Sequence, residues 1–142
     1  MIRDLETLDY YFDYCQLLYH AFDKKETVPD FDMFKRYVDT LPDNQYVKVC
    51  IIDGSLAGSA SITIENKLLH GCKKVGHIED VFVNPTFRGR GIGKKLIQYL
   101  LEFAKNSGCY KCILNCDKEI IPFYQKCGME VKEVEMVKYF YN

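Results

Sequence analysis

The stretch Arg88-Gly89-Arg90-Gly91-Ile92-Gly93-Lys94 lies between an apolar run that predicts a strand and an amphipathic run that predicts a helix. Its glycines alternate with other residues, so the backbone turns with few side chains in the way. The helix that follows directs its unpaired N–H groups and the positive end of its dipole into the turn. A strand, a glycine-rich loop and a helix in this order predict a phosphate or pyrophosphate site.

Two common phosphate-binding loops do not fit this spacing. A Walker loop would need its first glycine at Arg88 and a Ser or Thr at Lys95. A dinucleotide-binding loop needs a third glycine at Lys94 and an acid that ends the next strand, and both are missing. The pattern that fits is Gln/Arg-x-x-Gly-x-Gly/Ala, filled by Arg88, Gly91 and Gly93. The alternative is a glycine-rich turn into a helix that binds no ligand.

Length and charge predict the class of protein. The chain has 142 residues and a net charge of −1, so we expect one domain over residues 1–142 with a substantial core. The balanced charge gives no argument for nucleic-acid or membrane binding. The chain shows no bilayer-spanning apolar run and no apolar signal at its N-terminus, and a cytoplasmic protein is expected.

Seven cysteines raise the question of disulfides or a metal site. The number is odd and most lie in apolar runs, so we expect small core side chains in a reducing compartment. Cys109-x-x-Cys112 resembles half of a zinc site, but it lies in a strand-like run and no second Cys/His pair stands at ligand spacing. We therefore expect no metal. The remaining cysteines are Cys15, Cys50, Cys72, Cys116 and Cys127.

Hydrophobic periodicity predicts the order of elements. A strand–helix–strand unit over residues 75–116 implies a parallel pair, and an earlier hairpin adds antiparallel strands. We predict an α/β fold in which a mixed sheet has helices on both faces. The expected helices cover residues 7–21, 30–41, 92–106 and 120–127, and the expected strands cover 46–53, 56–69, 75–84, 109–116 and one or two segments within 130–141. The apolar face of the first helix is Leu8, Tyr11, Phe12, Cys15, Leu18 and Tyr19.

The glycine loop and this order of elements resemble the GNAT N-acetyltransferases across essentially the whole chain. A narrower resemblance is to the small eukaryotic GNAT enzymes that acetylate glucosamine 6-phosphate. It covers residues 62–129 well and the first 45 residues weakly. The segments that carry it are Lys67-Leu68-Leu69-His70, Gly76-His77-Ile78-Glu79-Asp80-Val81, Gly108-Cys109-Tyr110-Lys111 and Phe123-Tyr124-Gln125-Lys126-Cys127-Gly128.

The resemblance implies acetyl-CoA as co-substrate and no metal. Backbone groups of Phe82 and Val83 would pair with the pantetheine arm, as an added strand does. Arg88 and Arg90 would add charge near the phosphates, or they are simply solvated. The backbone N–H groups that would hold the pyrophosphate belong to Gly89, Arg90, Gly91, Ile92, Gly93 and Lys94, and Tyr124 and Lys126 would complete the cofactor site.

Two residues match positions near the reacting atoms. Tyr124 matches a tyrosine beside the CoA sulfur, and a phenol with a pKa near 10 can protonate a leaving thiolate. The alternative is one core tyrosine among eleven. Asn115 stands where relatives usually carry an acid whose backbone carbonyl orients the amine, so the existence of a side-chain base there stays open. Ile120 also departs from the family, which often has an Asn that touches CoA.

Glu79 and Asp80 are adjacent acids in an apolar strand. Consecutive strand residues point to opposite faces, and a buried charge needs a partner. The resemblance implies that they bind the hydroxyls and the amine of the sugar; the alternative is an ion pair with a nearby Lys or His that holds the fold.

Cations for the sugar phosphate would come partly from the second subunit of a homodimer. Lys67 and His70 match such positions, and Lys138 lies near a family arginine that this chain lacks, although Lys offers a point charge and not a planar fork. His70 and His77 could equally be structural. Aromatic residues at 139–141 suit a dimer interface.

These features predict transfer of acetyl from acetyl-CoA to the 2-amino group of glucosamine 6-phosphate, in UDP-N-acetylglucosamine biosynthesis. Transfer would be direct, in a ternary complex, with positioning supplying most of the rate. Two alternatives stay open. One is a GNAT enzyme for a polyamine or a protein lysine, with Glu79 and Asp80 binding the cation. The other is a non-catalytic acyl-CoA sensor.

Overall fold

A mixed five-stranded sheet lies at the centre of the computed structural model, which describes residues 1–141. The strands stand in chain order, and all neighbours are antiparallel except the last pair, which is parallel. This confirms the predicted mixed sheet and the parallel pair. The strands are β1 (Ile2–Asp4), β2 (Gln45–Ile52), β3 (Ser55–Asn66), β4 (Lys74–Val83) and β5 (Cys109–Ile113).

Helices cover both faces of this sheet, as predicted. Five α-helical segments are described: α1 (Tyr14–Ala21), α2 (Phe31–Asp39), α3 (Leu69–Cys72), α4 (Ile92–Asn106) and α5 (Ile121–Lys126). Three short 3-10 segments are Thr7–Phe12, Pro85–Phe87 and Lys118–Ile120. None of the helices within residues 1–141 combines the length and the apolar character needed to cross a membrane.

The first predicted helix is wrong over residues 7–13. This stretch is a 3-10 segment, and Asp13 in the left-handed conformation (φ 61°) separates it from α1. A contact between residues six apart in the chain holds this stretch: Asp9 is only 1% exposed and accepts two hydrogen bonds from the Arg3 guanidinium at 2.9 and 2.8 Å. Consequently Leu8, Tyr11 and Phe12 of the predicted apolar face are exposed, and the buried side chains are Tyr14 and Cys15.

Two predicted strands are longer than the observed ones. β3 ends at Asn66, and the chain then turns through His70, Gly71 and Cys72, all with positive φ. β5 ends at Ile113, three residues before the predicted end.

The predicted strands within 130–141 are also wrong, since the structure has no strand there and every residue of that stretch is exposed. A strand needs a neighbour for its N–H and C=O groups, and the described chain offers this segment none.

Two apolar clusters fill the space between the sheet and its helices. Ile62 and Ile78 of the sheet pack with Leu96, Ile97 and Leu100 of α4. On the other face the cluster comprises Leu5, Tyr14, Cys15, Phe34, Val47, Val49, Leu56 and Phe82. Phe82 of β4 therefore packs with α1 and α2, and this contact ties the candidate site to both helices.

Candidate active site

The pairing of β4 with β5 ends before β4 does, which leaves an open strand edge. Their pairing runs from Lys74 opposite Cys109 to His77 opposite Ile113 and ends there, whereas β4 continues to Val83. Phe82 and Val83 pair with β3 on one side, and on the other side no strand within residues 1–141 pairs with them. An extended ligand can therefore add to this edge as a strand does.

The glycine loop follows β4 directly and ends in an uncapped helix. Gly89 and Gly91 have φ of 80° and 75°, a conformation that favours glycine, so both are required by the turn. Gly91 is the N-cap of α4 and supplies no side-chain cap. The first N–H groups of α4, at Ile92, Gly93 and Lys94, are consequently available to an anion.

Gly93 marks the point where three elements of the site meet. A Cβ built there would lie 3.0 Å from Cζ of Phe123 in α5 and 3.4 Å from Cγ2 of Val83 in β4. The glycine loop, the open end of β4 and the Tyr124 helix are thus packed against one another. Among residues 1–141 neither Arg88 nor Arg90 takes part in an ion pair, and the Arg90 guanidinium lies 5.1 Å from the Phe87 ring centre.

Tyr124 is 9% exposed and belongs to the core cluster around α4. Burial raises the pKa of its phenol to about 12, with smaller contributions from Cys116 and Cys127. The hydroxyl forms no hydrogen bond within the described residues, and with this pKa it keeps its proton at neutral pH. Lys126 lies in the last turn of the same helix.

Asn115 lies two residues after β5 ends, at the carboxyl end of that strand, and its side chain is exposed. Ile120 is also exposed. The carboxyl ends of strands are where ligands bind in open α/β sheets.

A β-bulge places the two candidate acids. Ser59 pairs with Phe82 and Ser61 pairs with Glu79, so Asp80 and Val81 together oppose the single residue between the serines. Asp80 has a φ of 53°, a left-handed conformation that few residues other than glycine adopt. The bulge interrupts the alternation expected from the sequence.

The environment of these acids disfavours their charge. Burial raises the pKa of both carboxyls, and the charge of Asp80 raises that of Glu79 further. His77 opposes this effect at Glu79, while Glu135 of the C-terminal segment adds to it. Neither acid forms an ion pair among the described residues. The alternative in which an ion pair with a Lys or His holds one of these acids to the fold is therefore not observed.

A polar chain of side chains leads from Lys67 towards Glu79. Lys67 Nζ lies 3.2 Å from one carboxylate oxygen of Glu65, and His77 Nε2 lies 3.6 Å from the other. This last distance is too long for a good hydrogen bond, and His77 Nε2 is a buried atom without another partner. Lys67 is therefore paired with Glu65, and the described side chains give no hydrogen-bonded link from this pair to His77.

One predicted phosphate ligand, His70, lies away from the acids. His70 stacks on Tyr110, with ring centres 3.9 Å apart, at the opposite end of β4. The five residue steps from Lys74 to Glu79 alone span about 17 Å of strand. Lys138 belongs to the exposed segment after residue 129. A single chain does not bring His70 to Glu79.

Side chains of α1 and α2 lie beside Asp80 and are not among the predicted site residues. Tyr14, Tyr37 and Ser61 line, together with Asp80, a cavity of about 300 Å³. The periodicity of α1 was the available signal, since Cys15, Leu18 and Tyr19 of the predicted apolar face also line it.

The cysteines are only partly core side chains: Cys15, Cys50 and Cys127 are buried, whereas Cys72 and Cys116 are exposed. All seven are free. Cys112 Sγ would lie 2.7 Å from a Cβ built at Gly76, so this thiol points into the core beside α4. Burial raises the pKa of Cys112 to about 11. Within residues 1–141 no group of three His, Cys, Asp or Glu side chains is placed to hold a metal ion.

A comparison with protein families matches residues 2–129 to the acetyltransferase (GNAT) family. The chain belongs to this family. A glucosamine 6-phosphate N-acetyltransferase of Arabidopsis thaliana is 47% identical over 96 residues, which are 65% of this chain and 64% of that protein. One from Dictyostelium discoideum is 33% identical over 141 residues, 96% of this chain and 87% of the relative.

The solved structures agree with the fold. A crystal structure of the Arabidopsis thaliana glucosamine-6-phosphate N-acetyltransferase superposes with a TM-score of 0.92 at 37% identity, covering 99% of this chain and 98% of the other. The sequence match spans 64% of the Arabidopsis thaliana relative, 53% of a relative from Oryza sativa and 56% of one from Trypanosoma brucei. The matched part is therefore less than two thirds of the length of each of these relatives.

Proposed function

We propose that this protein transfers the acetyl group of acetyl-CoA to the 2-amino group of glucosamine 6-phosphate, a step of UDP-N-acetylglucosamine biosynthesis. The observation that carries the proposal is the convergence at Gly93 of the open β4 edge, the glycine loop and the Tyr124 helix. The names of the relatives support the acceptor.

The donor half of the site consists mainly of backbone. The N–H groups of residues 89–94 hold the pyrophosphate, because the turn and the uncapped α4 present several donors to one anion. Phe82 and Val83 pair with the pantetheine arm. This places the thioester next to the bulge at Asp80. Arg88, Arg90 and Lys126 add positive charge around the phosphates.

Transfer is direct. The amine nitrogen attacks the thioester carbonyl carbon, the C–N bond forms and the C–S bond breaks, and the amine releases a proton to solvent. The Tyr124 phenol, which burial keeps protonated at neutral pH, gives its proton to the departing thiolate and regains one from solvent, which balances the proton that the amine releases. The Asn115 backbone carbonyl orients the amine. Glu79 and Asp80 accept hydrogen bonds from the sugar hydroxyls and the amine.

The sugar phosphate binds Lys67, His70 and Lys138, contributed in part by the second subunit of a homodimer. The separation of His70 from Glu79 within one chain supports this arrangement. So does the exposed C-terminal segment, where Tyr139, Phe140 and Tyr141 are each more than three-quarters exposed, since such a surface favours a partner.

The test is release of free thiol from acetyl-CoA with four amines: glucosamine 6-phosphate, glucosamine, spermidine and a lysine peptide. Strong turnover with the phosphorylated sugar alone supports the proposal and makes Lys67, His70 and Lys138 the next residues to replace. Equal turnover with glucosamine, or turnover only with another amine, refutes the acceptor. Tight CoA binding without turnover on any amine, unchanged in Tyr124→Phe, indicates a sensor.

A further inference from the structure

One carboxylate on β3 is shared by two basic side chains. Lys67 Nζ lies 3.2 Å from Oε1 of Glu65, and His77 Nε2 lies 3.6 Å from Oε2 of the same residue. The side chains of Lys67, Glu65 and His77 are 41%, 46% and 33% exposed. Because an exposed ion pair contributes little to stability, Glu65 can exchange one partner for the other at little cost.

His77 is the incompletely bonded member of this group. Its Nε2 is buried and has no hydrogen-bond partner within residues 1–141, since 3.6 Å to Glu65 is too long for a good bond. A buried nitrogen without a partner is unfavourable. A proton on His77 would make a charge-assisted hydrogen bond to Glu65 possible, and the two atoms need to approach by only about 0.8 Å. Histidine is also the side chain that most readily gains a proton near neutral pH.

The charged groups around His77 are mostly acidic. Glu79 is two residues further along β4, so it lies on the same face of the sheet, about 7 Å away along the strand. Glu135 of the C-terminal segment raises the pKa of Glu79, whereas His77 lowers it. On β5, the register places Lys111 opposite Val75. A further negative charge in this neighbourhood favours a proton on His77.

We propose that Glu65 and His77 position Lys67 for the phosphate of the acceptor. In the empty protein Glu65 holds the Lys67 ammonium. When the phosphate binds, His77 takes up a proton from solvent and becomes the partner of Glu65, which leaves Lys67 to the phosphate. Without this proton the released carboxylate would repel the phosphate. The inference rests on the proposed role of Lys67 as a phosphate ligand. Because linkage is reciprocal, phosphate binding and the proton on His77 must favour each other equally.

The first test follows the ring signals of His77 by NMR over a pH titration of the protein without ligand. Glu65→Gln removes the shared carboxylate and should lower the midpoint of the titration by about 0.5 pH unit or more. Lys67→Gln removes the competitor and should raise the midpoint. Lys111→Gln is the matched control, because this lysine forms no ion pair among the described residues, and its effect should be clearly smaller. A midpoint that Glu65→Gln leaves unchanged, or that both lysine variants raise equally, overturns the inference.

The second test counts the protons taken up on binding. Glucose 6-phosphate is the probe, because it has the phosphate but no amine to acetylate or titrate. Its binding to protein saturated with CoA is measured by calorimetry near pH 7 in two buffers of different ionisation enthalpy. Wild type should take up more protons than His77→Gln, by about 0.2 per bound ligand or more. His20→Gln, which replaces an exposed histidine of α1, should match wild type. Equal counts in wild type and His77→Gln overturn the inference.

The same measurement separates this inference from the proposed function. If Lys67→Gln binds the probe as tightly as wild type, or if wild type does not bind it, Lys67 is not a phosphate ligand and both proposals about this residue fail. If Lys67→Gln binds about tenfold more weakly while wild type and His77→Gln take up equal numbers of protons, the phosphate ligand is retained and the exchange of partners is wrong.

Discussion

Replacing Gly58 with Ala should destabilise the fold at the strand that supports the donor site. Gly58 lies on β3 opposite Val83, and its φ is not positive. A Cβ there would lie 2.7 Å from the Phe82 carbonyl oxygen and 3.1 Å from Leu96 Cδ1. The carbonyl is backbone in a paired strand and cannot rotate away, so β3 and β4 must separate locally.

The size of the effect follows from two opposing terms. Overpacking a core costs about 1–3 kcal/mol, and a backbone contact belongs at the upper end. The loss of chain entropy in the unfolded state returns about 0.4–1 kcal/mol. We expect Gly58→Ala to lower the free energy of unfolding by about 2 kcal/mol, which is ~1 M in the urea midpoint at a slope near 2 kcal/mol/M.

Gly93→Ala is the matched control. Its added Cβ meets the Phe123 ring at 3.0 Å, a side chain that can shift by a few tenths of an ångström, and Ala favours the helix by up to ~1 kcal/mol. We expect its urea midpoint to stay close to that of wild type. The reasoning is refuted if the free energy of unfolding of Gly58→Ala lies within about 0.5 kcal/mol of the wild-type value, or if Gly93→Ala is the less stable of the two variants. The close approach of β3 to the Phe82 carbonyl would then not be what requires glycine at position 58.

Tyr124→Phe should lower kcat about 100-fold while acetyl-CoA still binds. With a pKa of about 12, this phenol cannot cause a fall in the rate below pH 10, so any such fall in a pH–rate profile must persist in the variant. Arg3→Ala leaves the buried Asp9 carboxylate unpaired and should cost about 3 kcal/mol in a urea titration, with Arg3→Lys recovering part; a loss under about 1 kcal/mol contradicts this. A carboxyl whose pKa is raised by folding binds its proton more tightly in the folded state, so its ionisation opposes folding above that pKa and not at low pH. Glu79→Gln and Asp80→Asn should therefore be at least as stable as wild type at pH 7, and this advantage should shrink towards pH 4 in urea titrations. A variant that loses stability relative to wild type as the pH rises from 4 to 7 would contradict the burial of these acids.

The strand–loop–helix core was predictable because each of its parts has a local signature. The helix over residues 92–106 has the predicted bounds, since glycine turns precede and follow it and its apolar residues repeat at helical spacing. The glycine spacing alone was sufficient to predict the loop.

Other features depend on contacts that the sequence pattern does not carry. The break at Asp13 follows from the Arg3–Asp9 contact. The bulge at Asp80 depends on the register between β3 and β4, and simple alternation cannot show it. The prediction of strands within residues 130–141 was wrong because a strand is completed by a neighbouring strand, and no local pattern specifies which neighbour that is.

The division of the site between main chain and side chains has a consequence for how such proteins diversify. The donor half of the proposed site consists of a glycine turn, a helix end and an open strand edge, which come with the fold. Its proposed acceptor half consists of a few side chains such as Glu79, Asp80 and Lys67, which can be exchanged without disturbing the turn. Selection can thus change the amine that is acylated by point mutation, while recognition of the donor is retained for as long as the fold is.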